Sequence, residues 1–93
     1  MTSERAITKQ IMRYLQGLDR SWWMKVHGGP YQKAGVPDIL GCYRGRFFAF
    51  EVKVPGGKTT AKQDHEIQRI RDADGVVDVV TSRAEVESIL KKP

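Results

Sequence analysis

Apolar residues recur every three or four positions at the start of the chain. Ile7, Ile11, Tyr14, Leu15 and Leu18 share one face of a helix running roughly from Ser3 to Leu18, with Thr2 or Ser3 available as cap and Gly17 weakening the last turn. The period then changes to two. Trp22 to His27 reads as a strand, and Gly28 to Gly35 reads as a mobile loop leading into Pro37. Asp38 to Tyr43 and Phe47 to Val54 read as two strands joined by a tight turn at Arg44-Gly45. Phe48, Phe50, Val52 and Val54 alternate with Phe47, Ala49, Glu51 and Lys53, so both faces are partly apolar, as expected of a central strand. Pro55-Gly56-Gly57 ends it. Thr60 can cap a helix from about Ala61 to Asp74, whose inward stripe is Gln63, Ile67 and Ile70, and Gly75 stops it. Val76 to Val80 is a short buried-strand pattern. Ser82 with Glu85 three residues later is a capping-box signature for a last helix bearing Val86, Ile89 and Leu90. The predicted order is α-β-β-β-α-β-α, an α/β fold with a mixed central sheet flanked by helices.

Ninety-three residues suit one small domain, 1–93, and the chain shows no repeat, low-complexity tract or linker. No apolar run reaches the length of a membrane span, and the first residues lack the layout of a signal peptide, so an intracellular, cytoplasmic protein is expected. A single cysteine, Cys42, excludes an internal disulfide, and two scattered histidines give no structural zinc site. The formal charge of +5 and pI near 9.6 favour an anionic partner, although small proteins that bind nothing acidic share this balance.

The chemistry concentrates in Gly35-Val36-Pro37-Asp38 and Glu51-Val52-Lys53. Pro37 fixes its own φ and biases Val36 towards an extended shape, so Asp38 enters its strand from a defined direction. Glu51 and Lys53 lie two apart in an apolar run and so project from one face of a strand. Burying either charge unpaired is costly. Two carboxylates that bind a divalent metal, with a scissile phosphodiester beside the lysine, give both charges a reason to be there. Glu4 shares a helix face with Ile7 and Ile11, which turns it towards the core side, although an acid in a first helical turn is ordinary. Gln63 lies on the stripe of Ile67 and Ile70, an odd place for an amide without partners.

This pattern resembles the PD-(D/E)xK (restriction-endonuclease-like) nuclease superfamily, and within it the virus-type replication-repair nuclease (VRR-NUC) domain. In that family an early helical Glu precedes Gly-x-Pro-Asp, then Glu-x-Lys, then a Gln at the start of the next helix. Glu4, Gly35-Val36-Pro37-Asp38, Glu51-Val52-Lys53 and Gln63 stand at those positions, and the resemblance extends over nearly the whole chain. It implies a nuclease releasing 5′-phosphate and 3′-hydroxyl ends. Asp38, Glu51, the Val52 carbonyl and Glu4 are the expected ligands of one or two Mg²⁺ or Mn²⁺ ions, hard cations suited to oxygen donors. Lys53 is expected to orient the attacking water and offset phosphate charge, with Gln63 helping to position the lysine, water or phosphate.

Tyr31, Lys33, Lys58, Lys62 and Arg69 are candidate nucleic-acid contacts, set against the ordinary reading of solvated loop and helix residues. His27 is a candidate general base, set against the ordinary structural role of a lone His at a strand end. Of the adjacent Trp22 and Trp23, one should fill the core and the other serve a subunit interface or stack on a base. A homodimer would hold two active sites at a fixed separation, and stand-alone virus-type members resemble Holliday-junction resolvases in this respect. The expected partner is therefore branched DNA, cut by a homodimer in a bacterial or phage-infected cell. The alternatives are a monomeric flap or nicking nuclease within a larger replication-repair assembly, and a non-catalytic basic nucleic-acid-binding module.

Overall fold

The structure, a computed structural model, describes residues 2–93. Its elements follow the predicted order: α1 (Glu4–Gln16), β1 (Ser21–Lys25), β2 (Ile39–Tyr43), β3 (Arg46–Val52), α2 (Ala61–Asp72), β4 (Val76–Val80) and α3 (Arg83–Lys91). The strands form one mixed sheet in the order β1-β2-β3-β4, antiparallel except for the parallel pair β3–β4 that α2 connects. The central place expected for the third strand is thus occupied by β3.

Local chemistry sets the boundaries. Ser3 caps α1 by accepting from the Ala6 N–H. Arg44 and Gly45 both have positive φ, 53° and 81°, which is the geometry of a two-residue hairpin turn between β2 and β3. Strands β1 and β3 stop two residues short of the expected His27 and Val54, and Asp38 lies one residue before β2. The end of α2 differs in mechanism from the expectation. The left-handed residue is Asp74 (φ 66°), and the helix already ends at Asp72. Gly75 follows in close packing, where a Cβ would come within 2.7 Å of Ile70 Cγ2 and 3.0 Å of Phe47 Cδ2.

The sheet has two unlike faces. Helices α1 and α3 cover one, enclosing Ile7, Ile11, Leu15, Trp23, Ile39, Phe48, Phe50, Val52, Val80 and Val86. The rings of Trp23 and Phe48 each stack on Phe50 and are tilted to one another, all at centroid separations near 6 Å, and burial of each large side chain contributes roughly 1.5–3 kcal/mol. Gly41 makes room for this packing, since a Cβ there would strike the Trp23 ring. On the other face α2 alone lies over Ala49, Val77 and part of Leu40. The remainder of that face, carrying Trp22, Met24, Cys42 and Phe47, is open, with Trp22 62% exposed.

Candidate active site

The two-residue turn fixes the β2–β3 register, pairing Tyr43 with Arg46 and Ile39 with Phe50. One further step along that register puts Asp38 opposite Glu51, on the α2 face. Asp38 is held on both sides: its backbone carbonyl accepts from Val26 N–H and its Oδ2 accepts from Val52 N–H, each at 2.8 Å. In an extended strand the N–H and C=O of one residue point the same way. The Val52 carbonyl therefore faces the Asp38 side, as required of a shared oxygen donor.

Gly35 explains how the Asp38 loop reaches α2. Its φ is +86°, and a Cβ would collide with the Lys62 carbonyl and approach Gln63 N to 3.1 Å. The loop backbone thus lies directly on the first turn of α2. That turn is closed by a capping box, Thr60 Oγ1 accepting from Gln63 N–H and Gln63 Oε1 accepting from Thr60 N–H. With its carbonyl fixed, the Gln63 side chain turns its amide nitrogen to Glu51 Oε2 at 3.3 Å. One residue both caps the helix and holds the central carboxyl. The Thr60-x-x-Gln63 spacing carried this signal in the sequence, where only the Ser82–Glu85 pair was read as a box. There Ser82 Oγ does accept from Glu85 N–H, but the Glu85 carboxylate takes the N–H and hydroxyl of Thr81.

Glu51 is 2% exposed, the most deeply buried charged side chain among the described residues. Lys53 Nζ stands 3.7 Å from its Oε2, which bears out their common face. Burial pushes the Glu51 carboxyl up to about 8, reinforced by the charge and hydrogen-bonding proximity of Asp38 and more weakly by Glu4, while Lys53 pulls it down. Only two buried polar side-chain atoms lack a partner among the described residues: Trp23 Nε1 in the core and Glu51 Oε1. An unpaired buried donor costs about 1–3 kcal/mol, and a charged oxygen costs more.

That orphaned oxygen beside Asp38 is where a cation fits. The donors are all hard oxygens, which suits Mg²⁺ or Mn²⁺, and Mg²⁺ commonly takes only one or two carboxylates and keeps several waters. Among the described residues no three His, Cys, Asp or Glu side chains gather tightly enough to enclose a metal. The fit is thus to an open, water-completed site. Glu4 lies in the first turn of α1, exposed, and is the smallest of the influences on Glu51.

The remaining candidates divide. The Gly-rich loop and Asp38 enclose a cavity of about 310 Å³ lined by Val26, Gly28, Gln32, Lys33 and Gly35 among others. Lys33 is ion-paired with Glu66 at 3.1 Å, and Arg69 approaches the same carboxylate at 3.9 Å, so neither is a free cation. Tyr31 is fully exposed; Lys58 and Lys62 are exposed and form no ion pair among the described residues. His27 is exposed and makes no hydrogen bond to the acids.

No family model matches the sequence, and no curated protein matches it. Solved structures do. One described as a VRR_NUC domain superposes with a TM-score of 0.78 at 26% identity, covering 98% of this chain and 97% of that one. Another, described as a VRR_NUC domain protein, gives 0.73 at 16% identity over 96% of this chain and 85% of that one, a likeness of fold alone. The element order, the mixed sheet and the full-length superposition agree with the motif reading: the chain has the fold of VRR-NUC domains, a fold of nuclease type.

Proposed function

We propose that this domain is a metal-dependent endonuclease that hydrolyses DNA phosphodiesters, acting on branched DNA as a homodimer. The observation that carries this reading is Glu51: a buried carboxyl facing Asp38, with one oxygen unpartnered and the other between Lys53 and Gln63. Asp38, Glu51 and the Val52 carbonyl are the groups to hold Mg²⁺ or Mn²⁺, with Glu4, whose charge is felt at Glu51, as the further candidate. A divalent ion bound there supplies Lewis acidity to the phosphate and lowers the pKa of a bound water.

The chain's own groups do the rest. Gln63 keeps Glu51 from rotating, because its carbonyl is committed to the helix cap. The Lys53 ammonium, only 12% exposed, is aimed at the same centre and is placed to orient a water and offset the charge that grows on the phosphate. Gly35 lets the Asp38 loop lie against the first turn of α2, which keeps the two acids opposed.

Branch selectivity and the dimer have a supporting observation of their own. The open half of the α2 face, with Trp22, Met24 and Phe47 beside the free edge of β1, is the apolar surface a second copy of this chain would cover. Two copies would present two sites at one separation, suited to paired cuts.

The test is cleavage of a labelled four-way junction beside a linear duplex of matched sequence, with Mg²⁺, Mn²⁺ or EDTA. Paired cuts in the junction are expected only with metal. Asp38→Ala and Glu51→Ala should lower the rate at least about a thousandfold while retaining binding, since losing an acid reduces repulsion of phosphate. Full activity in either variant overturns the site.

A further inference from the structure

The cations that the sequence nominated for nucleic acid are partly spent within the protein. Lys33 and Arg69 face Glu66, Arg71 faces Asp78, and Arg83 faces Glu87. A different group is unpaired. Between α1 and β1 lies a groove of about 420 Å³ lined by Arg5, Thr8, Lys9, Met12, Lys25 and His27. None of its four basic side chains forms an ion pair among the described residues, and all four are exposed.

The arrangement follows from two periodicities. Arg5 and Lys9 are four apart on α1, one turn above the other, with Met12 and the buried Thr8 between them and the sheet. Thr8 spends its hydroxyl on the Glu4 carbonyl, so the groove floor presents no competing donor. Lys25 and His27 are two apart along β1 and its extension, and so project to the same side, opposite the Trp22–Met24 face. Aliphatic stems line the walls and the charged heads reach the rim.

The groove also has a direction. His27 lines it, while its chain neighbours Val26 and Gly28 line the cavity that contains Asp38. At the same end Arg5 follows Glu4, whose charge is felt at Glu51. Asp38 and Glu51 project to the α2 face and the groove opens on the α1 face, so a polyanion held by both passes round the end of the sheet at Val26, His27 and Gly28.

We infer that the α1–β1 groove is a DNA-binding site, in which Arg5, Lys9, Lys25 and His27 contact successive backbone phosphates of one arm leaving the cleavage centre. The identity of the ligand rests on the nuclease reading above. The contacts are to phosphate alone, so they add affinity and fix the path of the arm without reading sequence.

The test is equilibrium binding of a fluorescein-labelled four-way junction and a linear duplex, by anisotropy in Ca²⁺, across a range of salt. Lys9→Ala/Lys25→Ala is compared with Lys91→Ala/Lys92→Ala, which removes the same charge from the end of α3. Each lost phosphate contact lowers the slope of log K against log salt by about 0.9. The groove variant should therefore lose about 2 units of slope and at least about tenfold in affinity near 0.1 M salt, with the α3 variant close to wild type. Equal losses in the two variants, or an unchanged slope in the groove variant, overturn the inference. Arg5→Gln serves as an independent single change, expected to lose about one unit. The two readings fail separately. Metal-dependent cleavage by wild type with an unchanged groove slope removes the groove alone. Absence of cleavage with the slope loss intact removes the nuclease and leaves a DNA-binding groove.

Discussion

Glu51 carries a conflict that no other residue shares among the described residues: it is nearly inaccessible, faces a second acid, and keeps one oxygen without a partner. Its folded pKa near 8 lies above the ordinary 4.5, so the folded protein binds more protons than the unfolded chain between these values. Stability of the metal-free protein is then full below about 4.5 and falls as pH rises towards 8. Glu51→Gln keeps the shape without the charge. In EDTA at pH 8 it should raise the melting temperature by roughly 5 °C or more and flatten the pH dependence, while abolishing cleavage. A Gln variant that melts no higher than wild type would mean that the carboxyl is not strained in the empty site. This cost in stability is visible in the sequence only as an acid in an apolar run. Its burial, and the orphaned oxygen, depend on what lies above it.

At the scale of elements, the site is assembled by a turn, a cap and a glycine. The Arg44-Gly45 turn determines which β2 residue meets which β3 residue, and so sets Asp38 against Glu51. The Thr60–Gln63 cap delivers the amide, and Gly35 lets the loop backbone lie on α2. Gly35→Ala should cost about 1–3 kcal/mol in denaturant unfolding, because it combines an unfavourable positive φ with a collision against backbone that cannot yield. It should also lower metal affinity by displacing Asp38. At α3 the Glu85 carboxyl is held below its ordinary value by the Thr81 N–H and hydroxyl and the Ser82 N–H. That contribution is present above about 4.5 and is lost as pH falls through the lower folded value. Acid melts of Glu85→Gln should show a small loss of stability at neutral pH that disappears as pH falls through the lowered folded value of Glu85. Turn and caps were legible because each depends on residues within four positions of one another. The collision at Gly35 was not, because Lys62 is 27 residues away in sequence.

For the molecule as a whole, the uneven covering of the sheet is the decisive feature. Two helices protect one face and a single helix protects half of the other, leaving Trp22, Met24 and Phe47 exposed. If that surface holds a second copy, Trp22→Glu/Phe47→Glu should sediment as a monomer and convert paired junction cuts into single nicks with the active-site residues untouched. A wild-type protein that sediments as a monomer at working concentration would remove the dimer and leave the monomeric nuclease. The charge balance behaves in the same way. A net charge of +5 announced an anionic partner, yet only the packing tells which cations are already neutralised by Glu66, Asp78 and Glu87 and which remain free in the α1–β1 groove.

The sequence by itself determined the elements and their order, the central place of β3, the common face of Glu51 and Lys53, and the family resemblance that names the nuclease type. All of these depend on local periodicity, turn chemistry or spacing along the chain. Tertiary structure alone decided which tryptophan is buried, that Gln63 joins a helix cap to Glu51, and which lysines are free. Each of these depends on residues brought together from distant elements, where burial and ion pairing are properties of the packed molecule and not of the string.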